Sequence, residues 1–150
     1  MPDIAYAFLA DAAQSVPGQK FNVLGGGVSR IGSRSFPLRH PHLALVVGLR
    51  VTAAETDRSH EVQLLMLDPD GAEIASATAT IAMQKRPDVR DEVLTFAVDL
   101  WNLTFPTGGD HSVRILVNGS ERERLPLLIS LVTGEGPDGG PSPAERRLDA

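Results

Sequence analysis

The sequence predicts an all-β protein: a single antiparallel β-sandwich, immunoglobulin-like or jelly-roll-like, with about eight strands over residues 1–132 and a disordered tail over 133–150. Three observations predict it. Apolar residues recur at every second position through most of the chain, which is the period of a strand with one buried face. The connectors between these runs carry the residues that tight turns require. Helical periodicity is scarce. Short strands separated by turns point to two packed sheets, and a closed barrel, which shares the alternation, is the alternative.

The first strand is "DIAYAFLA", in which Ile4, Tyr6 and Phe8 alternate with Ala5, Ala7 and Leu9. "DAAQSV" (residues 11–16) has helix formers enough for one turn, which Pro17 and Gly18 then end. Gly25, Gly26 and Gly27 separate "FNVL" from "VSRI"; they permit a positive φ, a bulge or a close backbone approach, as a hairpin or a corner between sheets needs. Leu43, Leu45, Val47, Leu49 and Val51 form the longest alternating set, opposite Ala44, Val46, Gly48 and Arg50. Val62, Leu64 and Met66 follow, and Asp68-Pro69-Asp70-Gly71 joins that strand to "AEIASATATIAM" with Pro fixing φ and Gly71 supplying the left-handed position. Leu94, Phe96, Val98 and Leu100 alternate cleanly until Trp101 breaks the phase, which marks it as a partly exposed aromatic for core packing or a protein interface. Val113, Ile115 and Val117 precede Asn118-Gly119, a type I′ turn pair, although "SERER" beyond it suggests a longer loop. Leu125, Leu127, Ile129 and Leu131 make the last strand; "LPLLISLV" is apolar on both faces, so it is either central in a sheet or covered. From Thr133 onward Gly and Pro dominate and only Leu148 is large and apolar, too little burial to offset ordering entropy.

Composition bounds the function. The 150 residues carry 14 Lys plus Arg against 19 Asp plus Glu, a net charge of −5. Nucleic-acid binding draws on a basic face, and the one local candidate, Arg30, Arg34 and Arg39, reads as a solvated strand face or turn. No nucleic-acid partner is expected. The chain has no cysteine, which removes disulfides, thiolate nucleophiles and Cys-based zinc sites and suits a reducing cytoplasm. "IAYAFLADAA" lacks the basic flank of a signal peptide, and "LALVVGL" falls far short of the roughly 20 apolar residues of a membrane span. The expected location is cytoplasmic, with no membrane partner.

The triple glycine fails four chemical templates. At the spacing of a P-loop from Gly27 to Gly32, Ser33 stands where the Lys must be. In a dinucleotide fingerprint from Gly25, Arg30 occupies the last glycine position. A nucleophile elbow at Gly27-Val28-Ser29 meets Ile31, and an HGGG oxyanion loop would need His at Leu24. Gly25, Gly26, Gly27, Gly71 and Gly119 are therefore assigned to turns or bulges, with no catalytic or cofactor-binding residue and no cofactor.

Binding residues are harder to place. His40 and His42, at i and i+2, share one face of an extended chain and are the metal candidates, with His60 or His111 as a third ligand; more simply, Pro41 marks the start of a strand where polar residues belong. Asp57, Asp68, Asp70 and Asp110 raise calcium, which takes six to eight oxygens, but the Asp68–Gly71 segment is explained by its turn. One Trp, one Tyr and five Phe leave few rings for a sugar platform. Ser, His and Asp are present without a spacing that unites them, and a triad is recognised by geometry.

"DIAYAFLADAAQ", "GQKFNVLGGGVSRI", "FPLRHPHLALVVGLRV" and "FPTGGDHSVRILVNGSERERLPLLI" together resemble an uncharacterised bacterial family known only as a domain of unknown function. The resemblance runs from about Asp3 to Val132, its most specific element being the N-terminal strand followed by the triple-glycine segment. It implies a compact bacterial β-sandwich and carries over no functional residue. The twelve Arg against two Lys also suit a GC-rich bacterial genome. The expected function is that of a non-enzymatic interaction or structural module, self-associating or bound to a protein partner. The alternative is a small-ligand or metal-ion module using His40, His42, Asp68 and Asp110.

Overall fold

The computed structural model describes residues 2–15, 20–55, 58–82 and 91–132. These form β1 (Asp3–Ser15), β2 (Phe21–Gly26), β3 (Arg30–Ser33), β4 (Leu38–Thr52), β5 (Ser59–Leu67), β6 (Glu73–Ala82), β7 (Asp91–Phe105), β8 (Gly109–Val117) and β9 (Ser120–Leu131), with a 3₁₀ turn at Ala53–Glu55. The fold is all-β, with nine strands rather than about eight and no α-helix among the described residues. The turn of helix expected at residues 11–16 is instead the end of β1 as far as Ser15, where pairing with β2 outweighs the local helix preference of Ala and Gln. The expected tail over 133–150 lies outside the described residues.

The strands make two sheets, ordered β2-β1-β4-β7 and β3-β9-β8-β5-β6. Every pair is antiparallel except β3 with β9, which runs parallel. That exception corrects the purely antiparallel expectation, and the glycine segment explains it. Gly25 and Gly27 hold φ of 61° and 86°, a region costly for any residue with a Cβ. The chain leaves the first sheet after Gly26, and the Gly27 and Val28 amides both donate to the Leu9 carbonyl. It joins the second sheet at once, where the Leu128 amide donates to the Ser29 carbonyl and Arg30 sits beside Leu128. Three residues thus carry the chain from one sheet to the other, so β3 arrives through a corner and not a hairpin.

Among the described residues, one hydrophobic cluster holds side chains of both sheets. It joins Leu9, Leu43, Leu45, Val47, Leu49 and Phe105 of the first sheet to Leu64, Met66, Val113, Ile115, Leu127 and Ile129 of the second. The alternation within β5 and β8 matches this burial directly, and in β9 it holds at Leu127 and Ile129, whereas Leu131 at the end of the strand is exposed. β1 departs from expectation: its register on β4 shifts between Ile4 and Tyr6, so Ile4 and Leu9 pack on the core while Tyr6 and Phe8 turn to the outer face. A bulge reverses the phase of everything beyond it. β4 is buried on both faces from Leu43 to Leu49, because those outer aromatics cover it. The Tyr6 ring lies over Gly48, where a Cβ would overlap it, and the Tyr6 hydroxyl hydrogen-bonds the Thr95 hydroxyl of β7.

The turns close tightly. Asn118 and Gly119 take φ of 50° and 83° and link β8 to β9 directly, so the longer loop suggested by "SERER" does not form. Asp68 Oδ1 accepts from the amides of Asp70 and Ala72, and Gly71 holds φ of 86°. β9 lies between β3 and β8, which accounts for its apolar outer positions by placing it inside its sheet.

Candidate functional site

An open cleft of about 400 Å³ lies where the β5–β6 turn meets β8 and β9, lined by Asp68, Pro69, Asp110, His111, Ser112 and Arg124 among others. Asp68 is held by its turn, and Asp110 is the exposed second residue of β8. Arg124 is anchored by its Nε–H donating to Glu121 Oε1 at 3.0 Å, and Arg114 donates to Glu121 Oε2 at 2.7 Å. The Arg114 and Arg124 guanidiniums hold the Glu121 carboxyl down to about 2. His111 is buried; its Nδ1–H donates to the Gly109 carbonyl at 3.0 Å and its ring meets Phe105 edge-on, leaving Nε2 buried without a partner. Ser112 and His111 are consecutive in a strand, so their side chains point to opposite faces. The cleft offers two carboxylates and a guanidinium to a polar molecule, but no nucleophile bonded to a base.

The expected metal candidates lie elsewhere. His40 faces Leu103 and His42 faces Trp101 across the β4–β7 ladder, in the sheet that does not carry Asp68 and Asp110. Among the described residues no group of three His, Asp or Glu is placed to hold a metal ion. Asp57 lies outside the described residues. His42 is engaged by protein groups: Nδ1 lies 2.8 Å from the Asp11 carbonyl and Nε2 lies 2.7 Å from Asp99 Oδ1. Its ring packs at 4.2 Å, tilted by 36°, against that of Trp101, which is 66% exposed. Beside this pair Asn102 takes φ of 52°, and β4 and β7 change face together between Leu103 and Leu100. The sequence marks Trp101 through its broken alternation but gives no sign of its His42 partner.

His60 is buried by a different network. Its Nε2–H donates to the Glu55 carbonyl at 2.9 Å, and its Nδ1 accepts from the Asn118 amide at 3.2 Å. Asn118 Oδ1 in turn accepts from the Glu61 amide, and the Asn118 amide donates to the Glu61 carbonyl. These bonds tie the β8–β9 turn to the start of β5, a structural role. Ser29 sits exposed at the sheet-crossing corner, where its carbonyl accepts from the Leu128 amide.

The model of a family described as a family of unknown function (DUF6941) matches residues 5–130. The chain belongs to that family. Its match spans from β1 to β9 and includes the corner, the cleft and the His42–Trp101 pair. No curated protein matches the chain. Among solved structures it is similar to a Pseudomonas fluorescens alkylpurine DNA glycosylase bound to DNA containing an abasic-site analogue, at 14% identity and a TM-score of 0.41. That match covers 68% of this chain and 28% of the glycosylase, so the chain spans little more than a quarter of that protein. It is also similar to an immunoglobulin-like protein from Pseudomonas aeruginosa, at 11% identity and a TM-score of 0.30, over 83% of this chain and 97% of the other. No helix among the described residues is long and apolar enough to cross a membrane.

Proposed function

We propose that the protein is a bacterial, cytoplasmic β-sandwich without enzymatic activity, working as a protein-interaction module that associates with itself. One observation carries the reading. The corner at Gly27–Ser29 ties one flank of the two sheets together, whereas the opposite flank leaves two long edge strands, β6 and β7, in contact with each other. Edge strands present unpaired amides and carbonyls, a ready template for another chain. The exposed Trp101 ring and the exposed Val93 side chain stand on β7 and enlarge the apolar surface beside that flank. The four site motifs that the triple glycine fails motivate the non-enzymatic part. Light scattering with sedimentation across micromolar concentrations tests self-association: a concentration-dependent dimer is expected, and a strict monomer overturns it.

A second reading, a small-ligand module, is favoured by the cleft alone. There Asp68 and Asp110 would take a cationic group and Arg124 an anionic one, as in a zwitterionic metabolite. Thermal unfolding with amines, amino acids, zinc, calcium and EDTA tests it, because a ligand of the native state raises the midpoint. The expected rise disappears in Asp110→Ala; no shift with any of them overturns this reading.

A further inference from the structure

Four strands end the two sheets, and three of them carry devices that discourage pairing with another chain. β2 has six residues and ends in glycines, one with φ of 61°. β3 has four residues. β7 is long but carries Asp91, Glu92 and Asp99 and is broken by the left-handed Asn102. Charges, short length and local irregularity are the means by which edges are blunted.

β6 carries almost none of them. Over the ten residues Glu73–Ala82 it reads "EIASATATIA", with no proline and no charge after Glu73. Among the described residues it pairs with β5 alone, and the register is regular from Ser59 opposite Ala82 to Met66 opposite Ala75. The single irregularity sits at the Glu73 end, between Met66 and Leu67 on the partner strand. Ala77 and Ile81 pack toward the core, while Ser76, Thr78 and Thr80 are exposed.

The strand is also complementary to itself. We infer that β6 pairs antiparallel with β6 of a second copy of this chain about a two-fold axis at Thr78, which joins two five-stranded sheets into one continuous sheet. The register follows from the sequence. With Thr78 opposite its own copy, Ser76 faces Thr80 and Ala77 faces Ala79, while Ala75 faces Ile81 and Ile74 faces Ala82. The solvent face then shows a hydroxyl ladder, whose cross-strand Thr–Thr and Thr–Ser pairs stabilise neighbouring strands. The inner face meets small residue to small residue next to the core, without a clash. Glu73, the one charge, lies at opposite ends of the two copies, so no like charges meet. The nine residues 74–82 of each copy pair in this arrangement and exchange about eight to ten backbone hydrogen bonds.

This inference rests on the self-association reading above and assigns it a strand and a register. The test exploits the axis, because a residue on a two-fold faces itself. Thr78 is exposed, so Thr78→Lys and Thr78→Glu leave the folded chain intact, which circular-dichroism melting checks. Each variant alone places like charges in direct opposition and is expected to weaken the dimer by roughly tenfold or more. Mixing equal amounts of the two is expected to restore association, now as a Lys–Glu heterodimer, in sedimentation analysis. A wild-type dimer that survives both substitutions overturns the β6 interface and leaves self-association through another surface standing. Loss of the dimer without recovery on mixing overturns the register about Thr78. A monomeric wild type overturns this inference together with the reading it rests on.

Discussion

Gly48 and Tyr6 show how one side chain can fix the identity of another residue across a sheet. Gly48 sits in the middle of β4, where glycine weakens a strand, and its φ is not among the left-handed ones. Its reason is space: the Tyr6 ring of β1 lies where a Cβ would project, on its way to the Thr95 hydroxyl of β7. Gly48→Ala is expected to push that ring off the sheet and cost about 1–3 kcal/mol, as overpacking of a filled site does, read as a lower urea midpoint. Nothing near Gly48 in sequence signals this, because the cause sits three strands earlier in β1 and depends on the bulge after Ile4. Asn118 is the second such residue, where turn geometry and side-chain bonding separate cleanly. Its φ of 50° suits glycine equally, so Asn118→Gly keeps the turn and the backbone bond to the Glu61 carbonyl but strips the side-chain bonds to His60 and to the Glu61 amide. A loss of about 1–3 kcal/mol is expected from the buried groups left unpaired. An unchanged unfolding free energy would show that the network contributes nothing.

The β8–β9 hairpin carries its own electrostatic signature. Glu121 is held down to about 2 from its usual 4.5 because the Arg114 and Arg124 guanidiniums bond its two oxygens. A carboxyl depressed in the folded state contributes stability that is fully present above its unfolded value and is lost as the pH falls through the folded one. Wild type and Glu121→Gln are therefore expected to differ most at neutral pH and to converge as the pH drops from about 4.5 toward 2. The carboxyl is exposed, so the gap is small and shrinks with salt; a gap that widens in acid would contradict the pairing. The strands of this hairpin were legible in the sequence because Val113, Ile115, Val117, Leu127 and Ile129 alternate without interruption. β1 was legible as a strand but not in phase, since a bulge is set by pairing with β4 and leaves no local mark. The parallel β3–β9 pair was hidden for the same reason: register between segments nearly a hundred residues apart is decided by tertiary packing. The glycines did announce a corner or a hairpin, and the sheet crossing at Gly27 resolves which. The cleft was only half visible, because Asp68 and Asp110 stand out as loop acids whereas Arg124 belongs to a charged run that reads as surface.

At the scale of the molecule, the proposed sandwich makes a claim that neither sheet makes alone: both sheets must melt together. The hydrophobic cluster draws Val47 and Leu49 from one sheet and Ile115 and Val113 from the other, and apolar surface shared in this way couples the two in a single transition. The chain supplies a convenient reporter, because Trp101 is its one tryptophan and stands on β7 of the four-stranded sheet. Ile115 lies on β8 of the five-stranded sheet and is fully buried. Ile115→Ala is expected to cost about 2–5 kcal/mol through lost burial and a residual cavity, a fall in melting temperature on the order of 10 °C for a domain of this size. The decisive feature is where that fall is seen. In a sandwich the tryptophan signal of the opposite sheet drops by the same amount as the far-ultraviolet circular dichroism of the whole chain. Two sheets packed independently would leave the Trp101 transition in place while the other signal moved, and that separation would refute the shared core.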